Sequence, residues 1–472
     1  MTQLGTQSHP LRVAIIGSGP SAFYAADHLL KQTDLVIEVD MFDRLPTPYG
    51  LVRGGVAPDH QKIKTVTKVF SKVAAHPHFR FFGYVEFGKA ITHAEFTDYY
   101  HQILYATGAQ TDRQMNIPGE HLDGSHPATA FVAWYNGHPD YRDYQFDLTQ
   151  ERIAVIGVGN VAIDVARILS LSTEELAQTD IADHALEALS KSQVKEVYLL
   201  GRRGPAQAAF TTPEVKELDD LAESDVVVLP AEAQLDELSR AELERNQDKS
   251  SMKKVEILQS YAQRPPGSKN KRLIIRFLVS PVEILGDSEG RVATLRLVKN
   301  ELYATDAGSI ASRATDQFED LNVGMVFRSV GYRGVPLPDV PFNERWGVIL
   351  NQKGRVLDPA TQQPLAGEYT AGWIKRGPSG VIGTNKPDAV ETVSCMLEDV
   401  AAGKTLSPSH PDGASLEQFV RERQPNYVSF EDWLKLDSAE LTKGQQQGRP
   451  RVKFTSIDDM LAALGHTETV EQ

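Results

Sequence analysis

Two stretches of this chain, LRVAIIGSGPSAFYAADHLLK at 11–31 and RIAVIGVGNVAIDVARIL at 152–169, carry one pattern twice. Each is a short apolar strand that enters a glycine turn and then a helix. An apolar strand without alternation belongs in a parallel sheet covered on both faces. The turns read G-x-G-x-x-A, with Gly17, Gly19 and Ala22 in the first and Gly157, Gly159 and Ala162 in the second. The first glycine permits the tight turn, the second lets backbone approach a pyrophosphate, and the small third residue lets helix pack on strand. The spacing therefore predicts two Rossmann-like dinucleotide-binding halves in an α/β chain.

The halves differ where they meet the ribose. The second strand of the first half, VIEVDMFD, ends at Asp43, 26 residues after Gly17, and a carboxylate there can accept both hydroxyls of an adenosine ribose. The corresponding strand of the second half, VKEVYLLGRR, follows an acidic, helical insert (STEELAQTDIADHALEALSK) and ends in Gly201, Arg202 and Arg203. An acid there would repel a 2′-phosphate, whereas a guanidinium is a planar, permanently charged partner for one. The second half is expected to prefer NADP(H) over NAD(H).

Two such halves suggest FAD on the first and NADPH on the second. The strand HQILYATGAQ (101–110) closes on Ala-Thr-Gly, a second signature of flavoproteins with two dinucleotide domains. MVFRSVGYRG (325–334) reads as its counterpart leaving the inserted domain, and GEYTAGWIKRGPSGVIGTN (367–385) as the return to the flavin. The expected architecture is a discontinuous FAD-binding domain, 1–108 plus 332–472, with an NADP-binding domain inserted at 109–331. Residues 405–472 read as helices and loops dressing the outer domain.

The net charge of −14 argues against general nucleic-acid binding. Nothing approaches a membrane span, and the first ten residues carry no targeting pattern, so a cytosolic chain is expected. The single cysteine, Cys395, falls at helical spacing and reads as a packed thiol; one thiol can form neither a redox pair nor a cysteine-ligated cluster. No metal site is expected.

GSGPSAFYAADHLL, TPYGLVRGGVAPDHQKIK, VIGVGNVAIDVARIL, LLGRRGPAQAAFTTPEVKEL and GWIKRGPSGVIGTN together resemble, in order and spacing, the adrenodoxin-reductase-like ferredoxin–NADP reductases, including bacterial members. The resemblance spans roughly 11–390, and YGLVRGGVAPDH is its most specific part. It implies FAD on Gly17, Gly19 and Ser21, on Asp43, and along Leu51, Val85, Trp373, Gly380, Val381 and Ile382. It implies NADP on Gly159, Asn160, Val161 and Ala162, with Arg202 and Arg203 on the 2′-phosphate and with Glu214 and Gly380 near the ribose or nicotinamide end. Asp43 stands where the family has a glutamate. Family members hold polar residues close to the flavin and nicotinamide rings at the places of His60 and Asp164. A part in proton handling or ring positioning is expected of both; from the residues alone, a helix-entry histidine and an ion-paired aspartate are the alternatives.

The implied activity is electron transfer from NADPH through FAD, hydride in and single electrons out, to an iron–sulfur ferredoxin of the [2Fe-2S] class. An NADPH dehydrogenase with a small acceptor of the quinone type is the alternative. A dithiol reductase needs a second cysteine, a glutamate-synthase-type subunit a cysteine-rich region, and a flavin monooxygenase would not predict YGLVRGGVAPDH. A non-catalytic NADP-sensing module leaves the flavin half unexplained. The family implies a monomer. Its docking residues fall near 253–276, where Lys253, Lys254, Arg264, Lys269, Lys271, Arg272 and Arg276 stand against Glu256 alone. Lys253, Lys254, Lys271 and Arg272 are the expected contacts to an acidic ferredoxin, with a plain solvated face as the alternative.

Overall fold

The computed structural model describes residues 4–265 and 267–466. The expected ends of the outer domain at 1–3 and 467–472, and Pro266 in the basic stretch, lie outside the described residues. The chain forms two compact units. One holds the residues up to Val56, His60–Thr111 and those from Tyr332 on; the other holds Ala57–Asp59 and Asp112–Gly331. The excursion of Ala57–Asp59 into the second unit, in the middle of YGLVRGGVAPDH, was not foreseen.

The first unit is built on a seven-stranded sheet. Leu11–Ile16 lies between Ile37–Asp43 and Gln102–Tyr105, all parallel, with Phe79–Gly83 beyond the former and Pro364–Thr370 beyond the latter. Short strands at Arg355–Leu357 and Asn351–Gln352 extend it antiparallel. Alternate residues of the Leu11 strand serve two cores: Leu11, Val13 and Ile15 pack with Phe23 and Phe70, while Ala14 and Ile16 pack with Phe42 and Phe82. Burial on both faces explains the unbroken apolar run.

The second unit repeats the plan with six parallel strands. Arg152–Ile156 lies between Glu196–Leu200 and Met325–Arg328. Met325–Arg328 thus holds the place that Gln102–Tyr105 holds in the first unit. A three-stranded antiparallel sheet, Val279–Gly286, Val292–Ala304 and Ile310–Asn322, is added to this unit. The acidic insert forms helices Thr173–Leu176 and Asp183–Ser190. Cys395 is buried and unbonded, and burial raises its pKa. Among the described residues, no helix is long and apolar enough to cross a membrane.

Beside the first sheet, His101 is buried and its Nδ1 accepts the Arg12 amide at 3.1 Å. Burial, then the nearby His9 and Arg12, push its pKa down to about 4 from an ordinary 6.5. As pH falls from 6.5 to about 4, the unfolded chain takes up this proton and the folded one does not. Stability therefore declines through that window, and above it this group has no effect. His101→Gln keeps an acceptor without the titration. It should flatten the decline by about 1–2 kcal/mol, after solvent screening, in urea unfolding followed from pH 7 to pH 4.5.

Candidate functional site

Both units end their central strand in the same way. Gly17 sits at φ +100°, and a Cβ built on it would lie 2.6 Å from the Ala106 carbonyl oxygen. Gly157 sits at φ +130°, and its Cβ would lie 2.3 Å from the Ser329 carbonyl oxygen. Each turn is pressed against the strand that leaves the sheet beside it, so no side chain fits. Gly19 and Gly159 are the opposite: nothing stands within 4 Å of a Cβ on either, and they form open floors. The helices that follow, Pro20–Leu30 and Asn160–Ser170, begin at these glycines without side-chain caps. Their first amides and positive dipole ends are left for an anion.

In the first unit Asp43 buttresses the turn. Its Oδ2 accepts from the Ser18 amide at 3.0 Å and the Ser18 hydroxyl at 2.5 Å, and its Oδ1 accepts from the Leu45 amide at 2.9 Å. Burial raises its pKa, against the lowering effect of those hydrogen bonds and of Arg44. A carboxylate offers about four acceptor positions, so one remains for a ribose hydroxyl. Val85 comes alongside, its amide donating to the Asp43 carbonyl at 2.9 Å. Gly50, at φ +48°, would place a Cβ 2.9 Å from Gly19 Cα, so Leu51 follows the turn closely. Gly372, at φ +80°, would place a Cβ 2.4 Å from Ser21 Oγ. That contact delivers Trp373 to the same place. The structure thus brings Gly17, Gly19, Ser21, Asp43, Leu51, Val85 and Trp373 together.

The loop after Trp373 is held by its own residues. Trp373 Nε1 donates to the Ser379 carbonyl at 3.1 Å, and Arg376 donates to the same oxygen at 2.7 Å. Gly380 follows at φ +78°, and Val381, half exposed, precedes Ile382. Buried Lys375 meets Asp388 at 3.1 Å and Glu391 at 2.7 Å, and Asp388 accepts the Gly372 amide at 2.5 Å. This lock on the Trp373 turn was missed from sequence; Lys375 stands in the short helix Trp373–Arg376 just after the strand Pro364–Thr370.

In the second unit the strand Glu196–Leu200 ends at Arg202 and Arg203. Among the described residues, neither guanidinium has an ion pair or hydrogen bond. Burial first, and the adjacent Arg202 second, lower the Arg203 pKa. Two unneutralised cations side by side repel each other, and a dianion relieves that repulsion. Their backbone is fixed from the antiparallel sheet: Asn300 Nδ2 donates to the Arg202 carbonyl at 2.9 Å, and the Leu278 amide donates to that of Arg203 at 3.2 Å. Asn160 Oδ1 accepts the Thr211 amide at 2.9 Å, which brings the segment carrying Glu214 to the second turn. Val161 and Ala162 form the first turn of the helix.

Asp164 and Glu214 share a partner that sequence reading missed. Arg167, 3% exposed, donates to both Asp59 oxygens at 2.7 and 3.1 Å, to Asp164 at 2.8 Å and to Glu214 at 3.4 Å. Burial alone would lower its pKa; Asp164 and Asp59 more than reverse this and hold it above the ordinary value. Asp164 is therefore ion-paired, as one of the alternatives for it had it. His60 follows Asp59 directly and stands at the N-cap of helix Gln61–Lys64 without a side-chain cap bond. An arginine on the buried face of the Asn160–Ser170 helix, three residues after Asp164, was the available signal.

The expected docking stretch requires correction. Lys254 is 6% exposed, donates to the Ala208 carbonyl and lies over the Phe210 ring, so it cannot meet a partner. Lys271 is partly buried and donates to the Leu171 carbonyl at 3.1 Å. Lys253 and Arg272 are exposed, but each is neutralised, by Glu256 and Glu196 respectively. Arg264 pairs with Asp219, and buried Arg276 with Glu232 and Glu319.

Known proteins agree with this geometry. Residues 11–211 match the family model described as pyridine nucleotide-disulphide oxidoreductase. The NADPH-ferredoxin reductase FprA of Mycobacterium tuberculosis is 46% identical over 467 residues, covering 96% of this chain and 98% of that one. The mitochondrial NADPH:adrenodoxin oxidoreductase of Arabidopsis thaliana is 40% identical over 472 residues, covering 97% and 96%. The solved structure of M. tuberculosis FprA in complex with NADPH superposes with a TM-score of 0.90 at 45% identity, covering 97% of this chain and 100% of that one. With both glycine turns, the arginine pair and this near-complete coverage, the chain belongs to the adrenodoxin-reductase-like family of ferredoxin–NADP reductases.

Proposed function

We propose that this chain transfers electrons from NADPH, through FAD, to an iron–sulfur ferredoxin. The observation that carries the NADP half is the arginine pair at the end of Glu196–Leu200, whose guanidinium groups make no ion pair among the described residues. The names of the relatives, NADPH-ferredoxin reductase and NADPH:adrenodoxin oxidoreductase, support the acceptor. The overall reaction is NADPH plus two oxidised ferredoxins giving NADP⁺, a proton and two reduced ferredoxins.

The first turn fits FAD: an open floor at Gly19, an uncapped helix and a carboxylate with one free acceptor position suit a dinucleotide with an unmodified ribose. When bound, FAD supplies the conversion between a two-electron donor and a one-electron acceptor. The protein's own residues bind and orient. In this reading the Gly17–Ser21 amides hold one pyrophosphate and the Gly159–Ala162 amides the other. Asp43 holds the FAD ribose, and Leu51, Val85, Trp373 and Gly380–Ile382 line the flavin. Arg202 and Arg203 take the 2′-phosphate, while Glu214 and Gly380 serve the nicotinamide end. Hydride transfer needs no proton donor, so orientation is the main contribution. His60 and Asp164 then act by positioning, with Arg167 holding Asp164 in an ion pair. The inserted 109–331 segment is read as the NADP domain and the remainder as the FAD domain. The family resemblance extends the reading to a cytosolic monomer and a [2Fe-2S] acceptor.

NADPH-driven reduction of cytochrome c tests this, with and without a [2Fe-2S] ferredoxin. A large ferredoxin-dependent stimulation, suppressed by salt, is expected. Fast reduction of quinones with no stimulation would instead favour an NADPH dehydrogenase with a small acceptor.

A further inference from the structure

Residues 60–85, HQKIKTVTKVFSKVAAHPHFRFFGYV, contain four lysines and an arginine but no aspartate or glutamate, in a chain with 63 acidic against 49 basic residues. A run of 26 residues without an acid is unusual at that composition. It begins directly after Asp59, continues as helix Gln61–Lys64 and, after a short break, as helix Thr67–Ala74.

The longer helix has two distinct faces. Phe70 is fully buried, stacked on Phe23 at 4.9 Å and edge-on to Tyr24 at 5.4 Å, with Val73 and Ala74 beside it. Lys68, Val69 and Lys72 are exposed, Lys68 and Lys72 one turn apart. The preceding turn adds exposed Lys62 and Ile63. Among the described residues, the side chains of Lys62, Lys68 and Lys72 make no ion pair, hydrogen bond or ring contact. Ile63 is 43% and Val69 49% exposed, among the larger apolar exposures of the chain. In 253–276 the charge count is higher, but the cations are spent on internal partners; in 60–85 Arg80 is paired with Asp40, while the side chains of Lys62, Lys68 and Lys72 stay free among the described residues.

We infer that this lysine-and-aliphatic face is where the acidic iron–sulfur acceptor docks. The inference rests on the reading above, which requires a protein acceptor. Free lysines steer a negative partner and fix its orientation, while apolar side chains between them exclude water at the contact. Three free cations suit one acidic patch; they are too few for nucleic acid, where affinity grows with each phosphate neutralised. The face also belongs to the unit that carries the first glycine turn, and one residue links the two. The Tyr49 amide donates to the Ser18 carbonyl at 3.0 Å, and the Tyr49 hydroxyl bonds Ser71 Oγ at 2.9 Å.

The test uses the full-length, FAD-loaded protein, the double variant Lys68→Glu with Lys72→Glu, and Lys253→Glu as a charge-reversal control outside the proposed face. Binding of a purified acidic [2Fe-2S] ferredoxin is measured by calorimetry at low and at physiological salt. Turnover is followed with that ferredoxin and, separately, with the neutral quinone menadione. The double variant should lose about tenfold or more in ferredoxin affinity at low salt, with a matching rise in KM and a shallower salt dependence. Menadione turnover should be unchanged, and the control should match wild type in every assay. A Lys68→Ala and Lys72→Ala pair, with smaller losses in the same order, would separate docking from misfolding. If wild type is stimulated by ferredoxin and the double variant binds it equally well, the docking face is wrong while the function stands. If wild type neither binds ferredoxin nor is stimulated by it, the functional reading fails and the docking face with it.

Discussion

Gly17→Ala protein is expected to purify without its yellow colour, and Gly157→Ala protein to keep it while losing NADPH. The two glycines occupy matching turns, and each is barred from carrying a side chain twice over. Positive φ costs a residue with a Cβ about 1–2 kcal/mol. The Cβ also meets backbone, at 2.6 Å for Gly17 and 2.3 Å for Gly157, and backbone cannot swing aside as a side chain can. The turn must shift, and the amides aimed at the pyrophosphate shift with it. Losing two charge-assisted hydrogen bonds at about 1.5–3 kcal/mol each corresponds to roughly 100- to 10,000-fold in dissociation constant. The checks are the flavin-to-protein absorbance ratio, released-flavin fluorescence and NADPH titration, with circular dichroism to show that both variants are folded. Crossed losses would assign one nucleotide to each unit. Wild-type flavin content and NADPH affinity in both variants would show that the turns hold neither.

The second large effect concerns the choice between phosphorylated and plain cofactor. Arg202→Ala with Arg203→Ala should raise the KM for NADPH by the equivalent of about 2–4 kcal/mol, roughly 30- to 1,000-fold, with kcat/KM for NADH nearly unchanged. Neither guanidinium has an ion pair or hydrogen bond among the described residues, and Glu242 acts on Arg203 only through its charge, so removing the pair breaks no ion pair and relieves a repulsion. That makes the variant a clean probe. Equal losses with both cofactors would show that the arginines serve the turn's structure instead.

The two glycine turns, their strands and the strand partners Gln102–Tyr105 and Met325–Arg328 were legible because local chemistry dictates them: apolar runs, turns that admit no Cβ, uncapped helix starts. The sheet Val279–Asn322 was not. Its strands alternate weakly and carry many charges, since long parts of them face water, and so they read as neither core strand nor helix. The docking stretch failed for a related reason. Counting charges along the chain found seven cations and one acid, but Glu196, Asp219, Glu232 and Glu319 come from distant segments to neutralise three of those cations, Arg264, Arg272 and Arg276. Electrostatic exposure belongs to the folded surface, and only an acid-free run with unpartnered side chains survives folding as a patch. Asp164 was legible as a position but not as a neighbour of Arg167, whose strongest partner, Asp59, lies 108 residues earlier.

That last distance bears on how freely the cofactor preference of such an enzyme could be exchanged. A graft that lifts 112–331 out as one continuous cassette would sever Arg167 from Asp59, leaving a buried guanidinium short of its bidentate partner. Losing one side of a buried ion pair costs about 3–5 kcal/mol, a large part of what keeps a domain folded. The tripeptide Ala57–Asp59, although encoded far upstream, has to travel with the cassette. A chimera built with matched tripeptides should fold where an otherwise identical one, spliced only at the two obvious seams, melts early.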